Sequence, residues 1–526
     1  MGGEIALNPS ARLCMQTRIL RQTYFCLFTL LLLVAPVFAQ PLEEKVWEHT
    51  LANGLTLLVV ERHEAPTFAA NITIKVGSVN ETSQVRGVAH LLEHMMFKGT
   101  TTIGTADWAK ERPIQEEIEQ VGARLDALNG RPGADAEEIA TLRRRLTQLQ
   151  EAQKLYIVKD EFSKIYGEQG GVGFNAFTSK DLTSYIIALP ANKLELWAAV
   201  EADRMQNAVL REFYTEREVV MEERRRSYES DPGGMLYENL IANAFITHPY
   251  RNPIIGWMSD LENLTLEETR DFFRNYYAPV NTVIALVGDI DFAEAVAVVE
   301  KYFGDIAPGT PVPPVPAVEP AQAGEKRVAI TYDAEPQMMI GYHKPTLPEK
   351  QDYVFDAIDL ILAGGRTSRL YQSLVVEQQL ATSVGVSGGP GARFPNLFII
   401  SAVPRYPHTT AEVEAAIYRE LDRLAREPVT PEELEKVRNR LRTDRLRYLK
   451  ENSGLARMLT YYQTVAGDWR YLVTYDEFIA TVTADDIMQV ATRYFRPDNR
   501  TVAVLRRGDD AATEASPAAT QAKGKM

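Results

Sequence analysis

The chain has 526 residues, 45% of them hydrophobic and 24% charged, with a formal net charge of −14. That length exceeds one small domain, and the composition is that of a folded globular protein. The acidic balance excludes non-specific nucleic-acid binding, which needs a basic face.

Residues 1–39 read as a signal peptide. Arg12, Arg18 and Arg21 precede the apolar run YFCLFTLLLLVA, and PVFAQ supplies a small-residue cleavage site after Ala39. The basic region reads equally well from Met15. The apolar run is short for a membrane span of about 20 residues. The expectation is therefore an exported chain, periplasmic, with no stable membrane span after cleavage. Both cysteines, Cys14 and Cys26, lie in this leader. A mature chain without cysteine has no disulfides, and any metal site must be built from His, Asp or Glu.

Two strand-like segments follow, NGLTLLVVE and FAANITIKVGS, with the alternation and turn residues of paired strands. Next comes GVAHLLEHMMFKGT, residues 87–100. Its pattern predicts a helix closed by Gly99 at the C′ position. His90 and His94 stand at i and i+4, so their rings project from one face and reach one metal ion. Leu91, Leu92, Met95 and Met96 lie on the opposite side and bury it. Glu93, three residues after His90, is placed to take a proton from water and pass it to a leaving amine. Set against this is the reading of two hydrogen-bonded histidines without a metal. The full HxxEH pattern favours the metal.

From about residue 108 to 165 the chain turns helical and charged. Ile114, Ile118, Val121, Leu125 and Leu128 form one apolar seam, and after NGRPGADA the residues Ile139, Leu142, Leu146 and Leu149 form another. This predicts a helical hairpin inserted in the first half, protruding and structural. A docking or substrate-gating arm is the alternative. Farther on, YTEREVVMEERRRSYESDPGG reads as a helix carrying Glu216, Glu222 and Glu223. A catalytic zinc usually has three protein ligands and one open position. The third ligand is sought among these glutamates, and spacing alone does not choose between them or a solvated helix face.

LTLEETRDFFRNYYAPVNTVIALVGDI and VTADDIMQVATRYFRPDNRTVAVLRRGDD match: Thr265, Pro279 and Asn281 recur at constant offset as Thr483, Pro497 and Asn499. Each predicts a Thr-capped helix, a Pro stop and an apolar strand. Between them, residues 307–326 are a Pro/Ala-rich linker. KRVAITYDAEPQMMIGYHK opens the second half with strands. The organisation expected is α+β: two homologous domains, 42–306 and 327–507, forming a clamshell, followed by a disordered tail at 508–526.

HxxEH, the later glutamate-rich helix and the repeated halves resemble the pitrilysin-type inverted zinc peptidases, the family of insulin-degrading enzyme and mitochondrial processing peptidase. The resemblance spans nearly the whole mature chain except the helical insert. It includes GFNAFTSKDLTSYIIALP, HPYRNPIIGWMSDLENLT and LAGGRTSRLYQSLV. It implies one zinc ion per chain on His90, His94 and Glu223, with Glu93 as catalytic base and Glu216 as the supporting acid of the catalytic set. It also implies that Asn175 and Ala176 lie on an edge strand that binds peptide substrate by β-addition. The family's second half carries an Arg and a Tyr, four residues apart, that stabilise the substrate carbonyl. In VVEQQLATSV these places hold Gln378 and Thr382. The resemblance therefore implies the zinc-bearing subunit of a dimer whose partner is a zinc-less paralogue. The alternatives are a chain that acts alone with weak or altered catalysis, and a catalytically inactive structural or assembly subunit.

Overall fold

The computed structural model describes residues 42–128 and 131–508. The leader, both cysteines and the tail beyond Gly508 lie outside the described residues. Leu42–Lys45 is a short 3-10 turn in a unit of its own. From Val46 onward the fold is α+β, built on two sheets.

The first sheet holds β1 (Trp47–Thr50), β2 (Thr56–Glu61), β3 (Thr67–Ile74), β4 (Val172–Thr178), β5 (Thr183–Pro190) and β6 (Thr282–Gly288), in the order β1-β2-β6-β3-β5-β4. The second holds β7 (Lys326–Thr331), β8 (Gln337–Lys344), β9 (Ala381–Gly389), β10 (Asn396–Pro404) and β11 (Arg500–Arg506), in the order β7-β11-β8-β10-β9. Without β1 the two orders superpose strand for strand. Both contain one parallel pair, β2 with β6 and β7 with β11, while every other neighbour is antiparallel. The expected direct pairing of β2 with β3 is corrected: β6 lies between them, as β11 lies between β7 and β8. The cause is legible in TVIALVG, where every residue of β6 is buried. A run apolar on both faces belongs inside a sheet.

The repeated ends fold alike. Thr265 with Glu268, and Thr483 with Asp486, close reciprocal capping boxes at their helix starts. Asn281 Nδ2 donates to the Tyr276 carbonyl at 3.2 Å, and Asn499 Nδ2 to the Tyr494 carbonyl at 2.9 Å. Each pair ties a Pro-stopped turn to the helix before it.

The halves exchange helices. Pro232–Ala244, from the first half, packs on β7, β8 and β11, where Leu236, Leu240 and Ile241 cluster with Leu397, Ile399 and Leu505. Asn452–Val465, from the second half, packs on β3, β5 and β6, burying Leu455, Ala456 and Leu459. Each fully buried leucine stabilises the junction by about 2 kcal/mol. The linker runs without helix or strand, but it is tied down: the Glu319 carboxylate accepts from the backbone N–H groups of Ile246, Thr247 and His248 at 2.7, 2.9 and 2.9 Å.

The helical hairpin is present, as Trp108–Leu128 and Ala136–Gln153. Its base does not protrude. Glu111, Gln115, Ile118, Gly122 and Leu128 of the first arm are buried. Gln153 Nε2 donates to Gln115 Oε1 at 2.6 Å and Glu111 Oε1 at 3.1 Å. Arg211 Nε donates to Glu111 Oε1 at 2.7 Å, with both side chains at 0% exposure. A seam judged by its own periodicity gives no sign of this polar anchoring to the body of the first half.

Candidate metal centre

The histidine helix spans Val88–Met95. Its N-terminus has no side-chain cap at Gly87; instead the Glu81 carboxylate accepts from Gly87 N at 3.0 Å and Ala89 N at 2.9 Å. Burial pushes the Glu81 carboxyl up to about 8, against the pull of those two N–H groups. Leu91, Leu92 and Met95 are wholly buried, and Met96 nearly so. The expected C′ role of Gly99 is corrected. The helix ends at Met95 with Met96 as C-cap, and Gly99 lies three residues farther on. There it has φ +102°, and an added Cβ would stand 2.3 Å from the Ile103 carbonyl oxygen. The glycine serves the tight turn after the helix.

The glutamate helix, Phe213–Arg224, crosses the histidine helix. Glu223 Oε1 lies 3.9 Å from His90 Nε2, and Glu223 Oε2 lies 3.6 Å from His94 Nε2. One atom from each of the three residues falls within 4.8 Å of the others. Glu216 sits one step back, accepting from His94 Nδ1 at 2.9 Å and from Lys98 Nζ at 2.5 Å. Glu222 points elsewhere, to Arg225 at 2.9 Å, with its side chain 71% exposed. Geometry thus separates three glutamates that spacing leaves equivalent.

The donor set fits a divalent cation. Burial, aided by His94, pushes His90 down to about 3, leaving a neutral imidazole. With Nδ1 bonded to Glu216, neutral His94 turns an Nε2 lone pair toward Glu223; burial opposes protonation, but the Glu216 hydrogen bond and the carboxylates around the ring raise its pKa, so a metal there competes with a proton. Burial opposes ionisation of Glu216, but the hydrogen bonds from His94 and Lys98 outweigh it and hold that carboxyl at about 2. Two imidazole lone pairs and a carboxylate, converging beyond hydrogen-bond distance, are a set that zinc satisfies. No sulfur is needed.

Glu93 lies beside this cluster, 9% exposed, and accepts from Thr178 Oγ1 at 2.6 Å. Burial raises its pKa despite that bond. Thr178 closes β4, the edge strand of the first sheet. Asn175 is exposed on that strand, while Ala176 is buried and sits in register with Tyr185. A cavity of about 600 Å³ opens beside Glu93 and His94, lined also by Phe97, Val158, Phe162 and Val219. Among the described residues Thr178 alone gives Glu93 a side-chain hydrogen bond.

The turn after β4 is fixed on every side. Asp181 Oδ2 accepts from Ala392 N at 2.7 Å and Arg393 N at 3.2 Å, and its Oδ1 accepts from Tyr250 Oη at 2.6 Å. The edge strand is thereby tied to the second half. Thr382 stands at the start of β9, the matching edge of the second sheet, and Gln378 caps the helical turn Tyr371–Glu377 just before it. Gln378 is bonded to Ser373 Oγ at 2.7 Å and to Arg419 at 3.1 Å, and Thr382 to the Val403 carbonyl at 3.3 Å. Thr178, Lys98, Glu81 and Asp181 do not stand out in the sequence. The first and last lie inside GFNAFTSKDLTSYIIALP, and only that resemblance hints at them.

Two sheets of one topology, with the histidine helix crossed by a glutamate helix at the first sheet's edge, define a duplicated α+β fold that carries a candidate metal centre. The family model described as Insulinase (Peptidase family M16) matches residues 57–131 and 159–257, and that described as Peptidase M16 inactive domain matches residues 263–441. The chain belongs to peptidase family M16. It is 27% identical to "Zinc protease PqqE" of Helicobacter pylori over 91% of this chain and 96% of that one. It is 24% identical to an "Uncharacterized zinc protease" of Rickettsia felis over 85% of this chain and 94% of that one. A crystal structure of a protease from Helicobacter pylori superposes with TM-score 0.74 at 26% identity, covering 88% of this chain and 99% of that chain. The periplasmic protease PqqL from Escherichia coli shares the fold, with TM-score 0.66 at 18% identity over 90% of this chain and 49% of that one. Among the described residues no helix is long and apolar enough to cross a membrane.

Proposed function

We propose that the chain is a zinc-dependent endopeptidase acting on peptides or unfolded segments. The observation that carries this is the convergence of His90, His94 and Glu223 beside a buried Glu93. In this reading residues 42–306 are the zinc-bearing domain and 327–507 its homologue. His90, His94 and Glu223 would hold the zinc ion, which when bound would supply Lewis-acid polarisation of water and of the peptide carbonyl. Glu216 fixes the His94 tautomer through Nδ1. Thr178 holds Glu93 Oε2, which leaves Oε1 to take a proton from the attacking water and deliver it to the departing amine. Asn175 and the free edge of β4 align the peptide as an added strand.

Gln378 and Thr382 bring neither a cation nor a phenol to the opposite wall. This favours a zinc-bearing subunit that reaches full activity in a heterodimer with a zinc-less paralogue carrying the Arg/Tyr pair. An inactive assembly subunit has no need of Glu93 on Thr178 or of three converging ligands. The leader at 1–39 supports export to a bacterial periplasm. The test is to assay the purified chain on unstructured peptides alone and then with the paralogue, alongside zinc analysis. About one zinc per chain and a partner-dependent rise in turnover are expected. Full activity of the isolated chain overturns the heterodimer, and a zinc-free native protein overturns the enzyme.

A further inference from the structure

A second cavity of about 210 Å³ lies on the other face of the edge strand, between β4 and the second-half helices Pro431–Lys450 and Asn452–Val465. Phe177, Leu182, Tyr448, Arg457, Met458 and Tyr461 line it. Along β4 the side chains alternate: Thr178 turns to Glu93, whereas Phe177 lies under the Arg457 guanidinium at 5.1 Å from its ring centroid. A peptide added to the free edge of β4 alternates in the same way. The residue beside Phe177 therefore presents its side chain to this cavity, one step along the strand from a residue facing Glu93.

The cavity's polar groups have one character. The hydroxyls of Thr73, Ser184 and Thr460 are committed to one another and to Asn71. Arg457 is exposed and has no ion-pair partner among the described residues, and the Tyr448 ring is 48% exposed. Among the described residues no carboxylate lines the cavity. The helix Pro431–Lys450 is itself basic, with seven Lys and Arg side chains against four acidic ones. Arg62 clamps the end of that helix to the first half, donating to the carbonyls of Leu449 at 2.8 Å and Lys450 at 3.0 Å, so the wall is held beside the strand. An apolar box with a free guanidinium and a phenol at its mouth is matched by an apolar stem ending in an anion.

We propose that this cavity is a specificity subsite for an acidic side chain of the bound peptide, with Arg457 as the residue that reads it. The inference builds on the peptide-binding reading of β4 given under the proposed function.

The test uses the full chain and peptides identical except for Glu, Gln or Lys at each of the positions flanking the cleaved bond. At one position Glu is expected to exceed Lys by roughly five- to tenfold in kcat/KM, the range of a partly exposed charge-assisted contact. Arg457→Met should bring that ratio within about twofold of unity. Arg457→Glu should invert it. A Glu preference that persists in Arg457→Met, or none in the native chain, overturns the subsite. A second arm measures binding of the same peptides, fluorescently labelled, to Glu93→Gln protein by anisotropy. An Arg457-dependent Glu preference in binding, without turnover by the native chain either alone or with the Arg/Tyr-bearing paralogue, keeps the subsite and sinks the peptidase reading. Turnover with no charge preference does the reverse.

Discussion

Glu93→Gln is expected to reduce kcat on an unstructured peptide by about 10³- to 10⁴-fold, the upper range for removing a general base, while bound zinc stays near one per chain. The two halves of that result come from different atoms. The metal-facing atoms belong to His90, His94 and Glu223, and Glu93 is not among them. A glutamine of the same shape still accepts from Thr178 Oγ1, which lies 2.6 Å from the native carboxylate, so the helix and the edge strand keep their positions. The amide nitrogen cannot take a proton at neutral pH, and in the proposed mechanism both the attack on the carbonyl and the release of the amine depend on that proton. Glu223→Gln makes the opposite division. It weakens metal binding directly, because the replaced group is a converging anion, and activity falls in proportion to metal lost. Metal content and single-turnover rates on both variants separate the cases. Turnover within tenfold of the native chain in Glu93→Gln would mean that another group carries the proton.

What the sequence disclosed and what it hid divide along range. His90, Glu93 and His94 were legible because one helical turn fixes their relation. The paired capping boxes at Thr265 and Thr483 were legible because each is closed within four residues. Glu216, Glu222 and Glu223 were not separable by local reasoning, since the face that meets the histidines depends on how two helices cross. The exchanged helices were invisible for a related reason. Leu236, Leu240 and Ile241 make an ordinary apolar stripe, and nothing in such a stripe says that its sheet lies in the other half. The same holds for Asp181. Its carboxylate is one more acid in a turn until the backbone N–H groups of Ala392 and Arg393 are brought to it from the far side of the chain. The helical hairpin was read from its periodicity as a free arm because its anchors are polar. Glu111, Gln115 and Gln153 break the apolar pattern exactly where the arm joins the body.

That polar anchor carries a large expected effect on stability. Arg211 and Glu111 are both at 0% exposure and 2.7 Å apart. Arg211 also donates to the Thr100 carbonyl at 2.6 Å, and at 3.3 and 3.4 Å to the carbonyls of Lys98 and Ile103. It thus holds three things together: the first arm of the hairpin, the turn that follows the histidine helix, and the segment leading into the glutamate helix. Removing one member of a buried pair leaves the other uncompensated, at about 3–5 kcal/mol. Arg211→Met should therefore lower the urea midpoint by the equivalent of that amount, and Glu111→Leu by a similar one. Replacing both removes the stranded charge, so the double variant should be more stable than the sum of the two losses requires. Recovery will be incomplete, because the carbonyls of Lys98 and Thr100 lose the Arg211 donor in either background, while Ile103 keeps only the Thr100 N–H at 2.8 Å. Zinc affinity is the second readout. Lys98, at the start of that turn, contacts Glu216 at 2.5 Å, and Glu216 orients His94. Loosening the turn should weaken zinc binding in Arg211→Met even under conditions where the protein stays folded. Equal zinc affinity in the folded variant would show that the anchor serves the hairpin alone; a weakened one ties the base of the hairpin to the metal through Lys98 and Glu216.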